Sequence, residues 1–470
     1  MLIALIDDGI DTSVFPEIRV KYDLLVERDG VVRERAADDR IITGHGTTCA
    51  SIIAKYAANA EFCSLRIFHR ENLRASCAQL AAAMEWCLDA RIPIVHLSLG
   101  TRQPNDYKRI RSIVARLIQQ RQIIVAACSN SGDYSIPAHL SGVMGTIADP
   151  GLKGAEYTLL PGSSLIHASS RHTLFLPPGH EFLTHTANSY AAPTVTAAVH
   201  NILERREAFS MSVGQVYTEL VGDPDSMTLV RPDFIEDAII LNPSGFPLLK
   251  QHLFFNCLAE FQCPPEVVQL SSDCKSLVYL VPQDSRLVSG YDIGQGYAGK
   301  IETLLYGGSL PERERSMLSE ALVWSEDCCC YPQDLFSPPS SDQPAIINLH
   351  GRGLRAIDLM CRLRDMFIAD GYQCRGLCGF PYSYLYDLEY VPAGVSASSA
   401  IAHLSLLCRP DILICNFQGP GQGVVDEEGS YSIFLGNDEG SNTGSLSCLK
   451  AAYDDQDIVS LYHNILGYFS

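Results

Sequence analysis

The chain has 470 residues, room for about two to four domains. Apolar residues make up 47% and charged residues 19%, so it can bury cores and is not a disordered tail. Lys and Arg number 35 against 54 Asp and Glu, and the resulting charge of −19 disfavours nucleic acid or an anionic membrane surface as partner.

Residues 1 to about 207 alternate strand and helix patterns. Leu2–Ile6 is an apolar run halted at Asp7-Asp8-Gly9, the pattern of a strand feeding a loop. Leu24–Arg28 and Val31–Arg33 flank Asp29-Gly30, a hairpin signal. An amphipathic helix is expected over Ala75–Ala90, a strand over Ile92–Ser98, a helix over Tyr107–Gln120 and a strand over Ile123–Ala127. Buried strands alternating with helices imply an α/β fold, a parallel sheet with helices on both faces. Residues 208–330 read as a mixed α/β middle region, with a strand at Val278–Val281 and a helix at Arg313–Val323. Tyr331–Pro344, rich in Pro and Ser, is the linker candidate. In 345–470 the stretches Ala345–Leu349, Ala356–Asp370, Gln373–Cys378, Ile401–Cys408 and Asp411–Cys415 alternate strand and helix as a second, small Rossmann-like α/β unit.

The opening MLIALIDDGID has no basic n-region, long apolar stretch or small-residue cleavage site, and no apolar run reaches about 18 residues. A cytoplasmic protein without a membrane partner is expected, its 17 cysteines mostly reduced.

Three segments carry the chemistry. Asp7 ends the first buried strand, Gly44-His45-Gly46-Thr47-Thr48-Cys49-Ala50 opens a helical pattern, and Asn188-Ser189-Tyr190-Ala191-Ala192-Pro193 opens another. Taken singly, each has a plain structural reading: a turn-forming Asp, a His beside Gly, a Ser at a helix start. In order they supply an orienting carboxylate, a base and a nucleophile, because a serine hydroxyl needs a base to take its proton and the resulting imidazolium needs a fixed anion.

These segments resemble the motifs of the subtilisin-like serine peptidases (subtilases), approximately D-[ST]-G, H-G-T-x-x-A and G-T-S-x-A-x-P. Two more segments match in order: Val95-His96-Leu97-Ser98-Leu99-Gly100 is similar to the family's substrate-pairing strand, and Val125-Ala126-Ala127-Cys128-Ser129-Asn130 to the strand and loop carrying its oxyanion Asn. Ile136-Pro137-Ala138 fits a further stretch. The resemblance implies a peptidase domain over 1–207. Asp7, His45 and Ser189 would be the triad, Asn130 the oxyanion donor, and Ser98, Leu99 and Gly100 the residues that hold an extended peptide by strand addition. Gly100 would let the peptide backbone approach closely.

The chain departs from the pattern at Asp8, where the family has Ser or Thr, at Ala187-Asn188 before the nucleophile, and at Ser129 before Asn130. Asp8 either points inward and raises the basicity of His45 or faces a polar loop; Ala187 requires a negative φ. Calcium is the one cofactor the resemblance brings, but no acidic loop can be assigned to it, and no metal site is expected.

The C-terminal half carries weaker signals. Gly294–Lys300 has P-loop spacing, but Ile301 stands where Ser or Thr should hold Mg²⁺. His350-Gly351-Arg352-Gly353 reads as a tight turn, and Cys328-Cys329-Cys330 with Cys374 and Cys378 lacks zinc-site spacing. From Pro344 onward the chain loosely resembles the C-terminal part of clostridial peptide-maturation-system proteins. That likeness implies removal of the leader from a ribosomally made precursor peptide during bacteriocin-like natural-product maturation, with 345–470 docking precursor or partner maturation enzymes. A peptide-binding scaffold with a vestigial triad and a general cytoplasmic turnover protease are the alternatives.

Overall fold

The computed structural model describes all residues except 37–40, 42–43, 69–73, 161–163, 177–178, 207–210, 223–230, 263–273, 283–292, 330–342, 418–429, 436–445, 450–452 and 470. Most of the Tyr331–Pro344 linker candidate thus lies outside the described residues.

In the first unit, strands β1 (Leu2–Asp7), β2 (Arg19–Val26), β3 (Val32–Glu34), β4 (Glu61–Arg66), β5 (Ile94–Leu97), β6 (Ile123–Ala127), β7 (Met144–Ala148), β8 (Tyr157–Leu159) and β9 (Ile166–Ala168) form one sheet. Its order is β3-β2-β4-β1-β5-β6-β7-β9-β8, parallel except where β3 and β8 pair antiparallel at the two edges. Strands β1, β5 and β6 are buried along their length, as apolar runs covered on both faces must be. The Asp29-Gly30 turn joins β2 to β3 as expected. A small antiparallel pair, β10 (Thr173–Leu176) and β11 (His180–Leu183), follows.

The helices are α1 (His45–Tyr56), α2 (Cys77–Asp89), α3 (Tyr107–Gln119), α4 (Asn188–Arg205) and α5 (Val213–Val221). Ser76 with Gln79 and Ser212 with Gln215 close capping boxes that start α2 and α5. Gly222, in the left-handed region at φ 80°, ends α5.

The middle region is a parallel sheet of β12 (Asp237–Leu241), β13 (Asn256–Phe261), β14 (Ser276–Leu280), β15 (Thr303–Gly307) and β16 (Leu322–Ser325), in the order β13-β12-β14-β15-β16. Short helices α6 (Ile293–Tyr297) and α7 (Glu312–Met317) precede and follow β15. The single helix expected over Arg313–Val323 is therefore corrected. Leu318 ends α7 and Leu322–Ser325 pairs with β15, so the apolar residues at the end of that stretch belong to a strand. In the P-loop-like segment, Lys300 donates to the carbonyl of Gly296 across the end of a five-residue helix.

The third unit is a six-stranded sheet, β19-β18-β20-β17-β21-β22, all parallel. Its strands are β17 (Ala345–His350), β18 (Cys374–Cys378), β19 (Glu389–Tyr390), β20 (Ile412–Asn416), β21 (Tyr431–Leu435) and β22 (Leu446–Leu449). Its helices are α8 (Leu354–Ala369), α9 (Ala397–Cys408) and α10 (Asp455–Phe469).

One apolar core runs from the first unit into the third. A buried polar cluster pins the units together. Arg231 pairs with Asp387 and with Glu389. Arg111 of α3 bonds Glu236 at 2.6 Å, and the Arg375 guanidinium lies 5.0 Å from the ring centre of Tyr134.

Candidate active site

Strand β1 lies between β4 and β5, and the chain delivers its candidate groups at the carboxyl ends of β1, β5 and β6, where open α/β sheets offer a crevice. Asp7 is the last residue of β1, His45 the first of α1, and Ser189 the second of α4. Gly44 precedes α1 in the left-handed conformation at φ 71°, which lets the chain turn sharply into His45.

Asp8 is only 2% exposed. Its carboxylate accepts from the backbone N–H of Gly46 at 2.7 Å and of His45 at 3.3 Å. Those two donors have no partner within the helix, and a carboxylate at a helix N-terminus also meets the favourable end of the dipole. The second acid therefore anchors the backbone that carries His45. Gly46 is required there, because a Cβ would lie 2.6 Å from the carbonyl oxygen of Gly9 and 3.1 Å from Asp7 Cβ.

His45 Nδ1 lies 2.9 Å from Asp7 Oδ2 and 3.0 Å from Oδ1. With Asp7 ionised, Nδ1 carries the proton and Nε2 is the nitrogen with a lone pair that can act as a base. Burial raises the Asp7 carboxyl above its ordinary range, against the bond to His45, which lowers it. The imidazole is raised, with the Cys49 sulfur as the largest influence and Asp7 next among those that raise it, against desolvation. Burial also raises the Cys49 thiol, so near neutral pH the sulfur is protonated and Asp7 is the operating cause.

Helix α4 contains Pro193, four residues after Ser189. Proline has no N–H, so the Ser189 carbonyl lacks its helical donor. The hydroxyl of Ser98 fills the gap at 2.9 Å, and the Cys49 thiol adds a longer contact at 3.5 Å. Ser98 in turn lies 2.8 Å from His96 Nε2, and His96 Nδ1 lies 2.8 Å from Thr196 Oγ1. Since the one Ser98 proton goes to the carbonyl, His96 Nε2 donates to Ser98. Burial lowers His96 to a pKa of about 3, so it stays neutral. The Ser98 side chain is turned inward to the Ser189 carbonyl, so what Ser98 can offer a peptide is the main chain that strand addition uses.

Asn130 and Asn188 tie the helix that carries Ser189 to β6 and β7. The backbone N–H of Asn188 donates to Asn130 Oδ1 at 2.9 Å. The Asn188 side chain accepts from Ala148 N–H and donates to the carbonyls of Cys128 and Ser129. With Oδ1 occupied, Asn130 keeps Nδ2 as a donor. Ala187 is extended at φ −157°, ψ 147°, a conformation any residue adopts, so replacing glycine there costs no strain. Among the described residues, the backbone N–H of Ser189 has no protein acceptor.

Ser189, Asn130, Ser98, Leu99 and Gly100 line one cleft of 230 Å³, open to solvent. Gly100 has a further reason to be glycine beyond the approach of a peptide: a Cβ would lie 2.7 Å from the Ile136 carbonyl oxygen. That carbonyl belongs to a two-bond bridge between Thr101 and Ile136 that joins the cleft's walls. Sequence reading missed His96, Thr196, Asn188 and Asp8 as supporting groups. Pro193 was a usable signal, since a proline inside a helix exposes the carbonyl four residues back.

Asp7, His45 and Cys49 bring O, N and S atoms within 4.8 Å of one another, the one such grouping among the described residues. Calcium takes oxygen ligands, and this set does not fit it.

Residues 1–222 match the model of the subtilase family, peptidase S8. A curated relative, the subtilisin-like protease het-Q2 of Podospora anserina, is 26% identical over 181 residues, covering 34% of this chain and 49% of that protein. The chain thus spans about half the length of this relative. Among solved structures, a lanthipeptide protease is 15% identical, covering 46% of this chain and 78% of its own, with a TM-score of 0.37. A mutant of the protease domain of PatA is 22% identical, covering 49% and 86%, also at 0.37. The prenylagaramide maturation protease PagA is 17% identical, covering 49% and 88%, again at 0.37. No helix among the described residues is long and apolar enough to cross a membrane. Residues 1–222 of this chain are therefore a subtilase-family domain.

Proposed function

We propose that the chain is a serine endopeptidase using Asp7, His45 and Ser189, and that it removes the leader from a precursor peptide in the cytoplasm. The observation that carries the peptidase reading is the 2.9 Å contact of His45 Nδ1 with Asp7, beside a cleft lined by Ser189 and Asn130. Ser189 Oγ attacks the scissile carbonyl carbon as its proton passes to His45 Nε2. The oxyanion accepts from Asn130 Nδ2 and from the Ser189 N–H at the start of α4. Collapse breaks the C–N bond, His45 returns the proton to the leaving amine, and water then releases the acyl group by the same route.

One observation supports selective processing over general digestion. The third unit grips the cleft's walls: Gln373 Nε2 donates to the Arg102 carbonyl at 2.6 Å and Arg409 reaches Asp133 at 3.4 Å. The test is digestion of casein beside a mixture of candidate precursor peptides, read by mass spectrometry. Cleavage of one precursor at one site with casein intact supports the reading. Broad casein digestion overturns the leader-peptidase part.

A further inference from the structure

The cleft beside Ser189 carries a charge opposite to that of the chain as a whole. Its lining includes one charged side chain, Arg102, among serines and main chain. Arg102 Nη1 donates to Asp133 Oδ2 at 2.5 Å and lies 3.4 Å from Ser131 Oγ. Arg409 Nη1, from the third unit, faces the other oxygen, Oδ1, of the same Asp133 at 3.4 Å. Two guanidinium groups therefore share one carboxylate at the rim of this cleft, in a chain of net charge −19. Both arginine side chains are open to solvent, at 60% and 65% exposure. The Arg102 backbone is fixed by the Gln373 bond and by the Thr101–Ile136 bridge beside it, so its side chain has a defined origin.

We propose that this cleft selects a peptide with a carboxylate side chain, Asp or Glu, at the residue preceding the scissile bond. Arg102 supplies the counter-charge, and Arg409 shares the Asp133 carboxylate that pairs with it, so that one anion is divided between two cations. A lysine or arginine at that position meets like charge, and Asp133, engaged on both oxygens, is not free to receive it. A large apolar side chain would strip water from Arg102 and return nothing. The proposal rests on the peptidase reading and adds its substrate class.

The test uses the full chain and four peptidyl diphenyl phosphonates that differ only at the residue abutting phosphorus: Glu, Gln, Lys or Leu. Ser189 Oγ bonds to phosphorus, phenoxide leaves and His45 takes the hydroxyl proton, so inactivation rates read how each side chain is accepted. Glu is expected to react about tenfold faster than Gln, as a charge-assisted bond allows, with Lys slowest. Arg102→Gln should bring the Glu-to-Gln ratio near one, Arg409→Gln should lower it in part, and Asp133→Asn should raise it. A general loss of folding slows all four reagents together and cannot move their ratio in opposite directions. Preference for Lys or Leu, or a ratio untouched by Arg102→Gln, overturns the proposal and leaves the peptidase reading standing. If no phosphonate modifies Ser189, the peptidase reading fails and the specificity falls with it.

Discussion

Ser189 and Pro193 stand four residues apart in α4, and the proline's missing N–H leaves the Ser189 carbonyl to the hydroxyl of Ser98, 2.9 Å away. The residue proposed as nucleophile is thus held on its backbone side by a side chain from the neighbouring strand end. Ser98→Ala should lower stability by about 1–3 kcal/mol, the range for a buried acceptor left short of a donor. In a Pro193→Ala background the new N–H reaches that carbonyl, and the same change should cost less. Thermal unfolding of the four proteins in this cycle measures the coupling. Strict additivity would contradict the assignment.

The Asp7–His45 contact sets a pH dependence. His45 acts as a base only when neutral, so kcat/KM should rise with pH through its pKa, which Asp7 holds above the ordinary value near neutral pH, where the Cys49 thiol is protonated. Asp7→Asn removes that upward pull and leaves the downward pull of burial, so the acid limb should move to lower pH while kcat drops by about 10⁴. Cys49→Ala should leave the limb in place. A limb that moves with Cys49 and not with Asp7 would reverse this assignment. Rates on a peptide substrate across pH give the answer.

Asn130 is oriented by the Asn188 N–H on its Oδ1. Asn130→Leu removes a donor needed only as charge develops on the substrate oxygen, so kcat should fall about 10²- to 10³-fold with KM little changed. A KM effect alone would mark Asn130 as a binding residue.

His96 couples stability to pH through burial. Its folded pKa of about 3 lies below its ordinary 6.5. Between those values the unfolded chain takes up a proton that the folded one refuses. Its contribution to stability is therefore complete above about pH 6.5 and lost as pH falls toward about 3. The melting temperature of wild type should drop more steeply over that window than that of His96→Gln. Parallel curves would contradict a neutral buried imidazole.

The first unit was legible because its strands are unbroken apolar runs ended by turn residues, as at Leu2–Ile6 before Asp7-Asp8-Gly9. His45, Ser189 and Asn130 were legible from ordered motifs. The direction of the Ser98 side chain was not legible, because it depends on the orphaned carbonyl of Ser189 across the fold. The middle sheet was hard to read because β12, β13 and β14 follow one another with no α-helix between them among the described residues, so the strand–helix alternation is lost. The turn between Leu318 and Leu322 was hidden there because Ser319-Glu320-Ala321 carries no glycine or proline to mark it. Arg102 could not be read as part of the cleft, since its partners Asp133 and Arg409 come from distant parts of the chain.

The most direct measurement is reaction of the folded chain with a fluorophosphonate, followed by mass spectrometric mapping of the modified residue. Our account predicts one adduct, on Ser189, absent in Ser189→Ala and strongly reduced in His45→Ala. A folded wild-type chain that takes up no reagent, or an adduct that persists in Ser189→Ala, would contradict it.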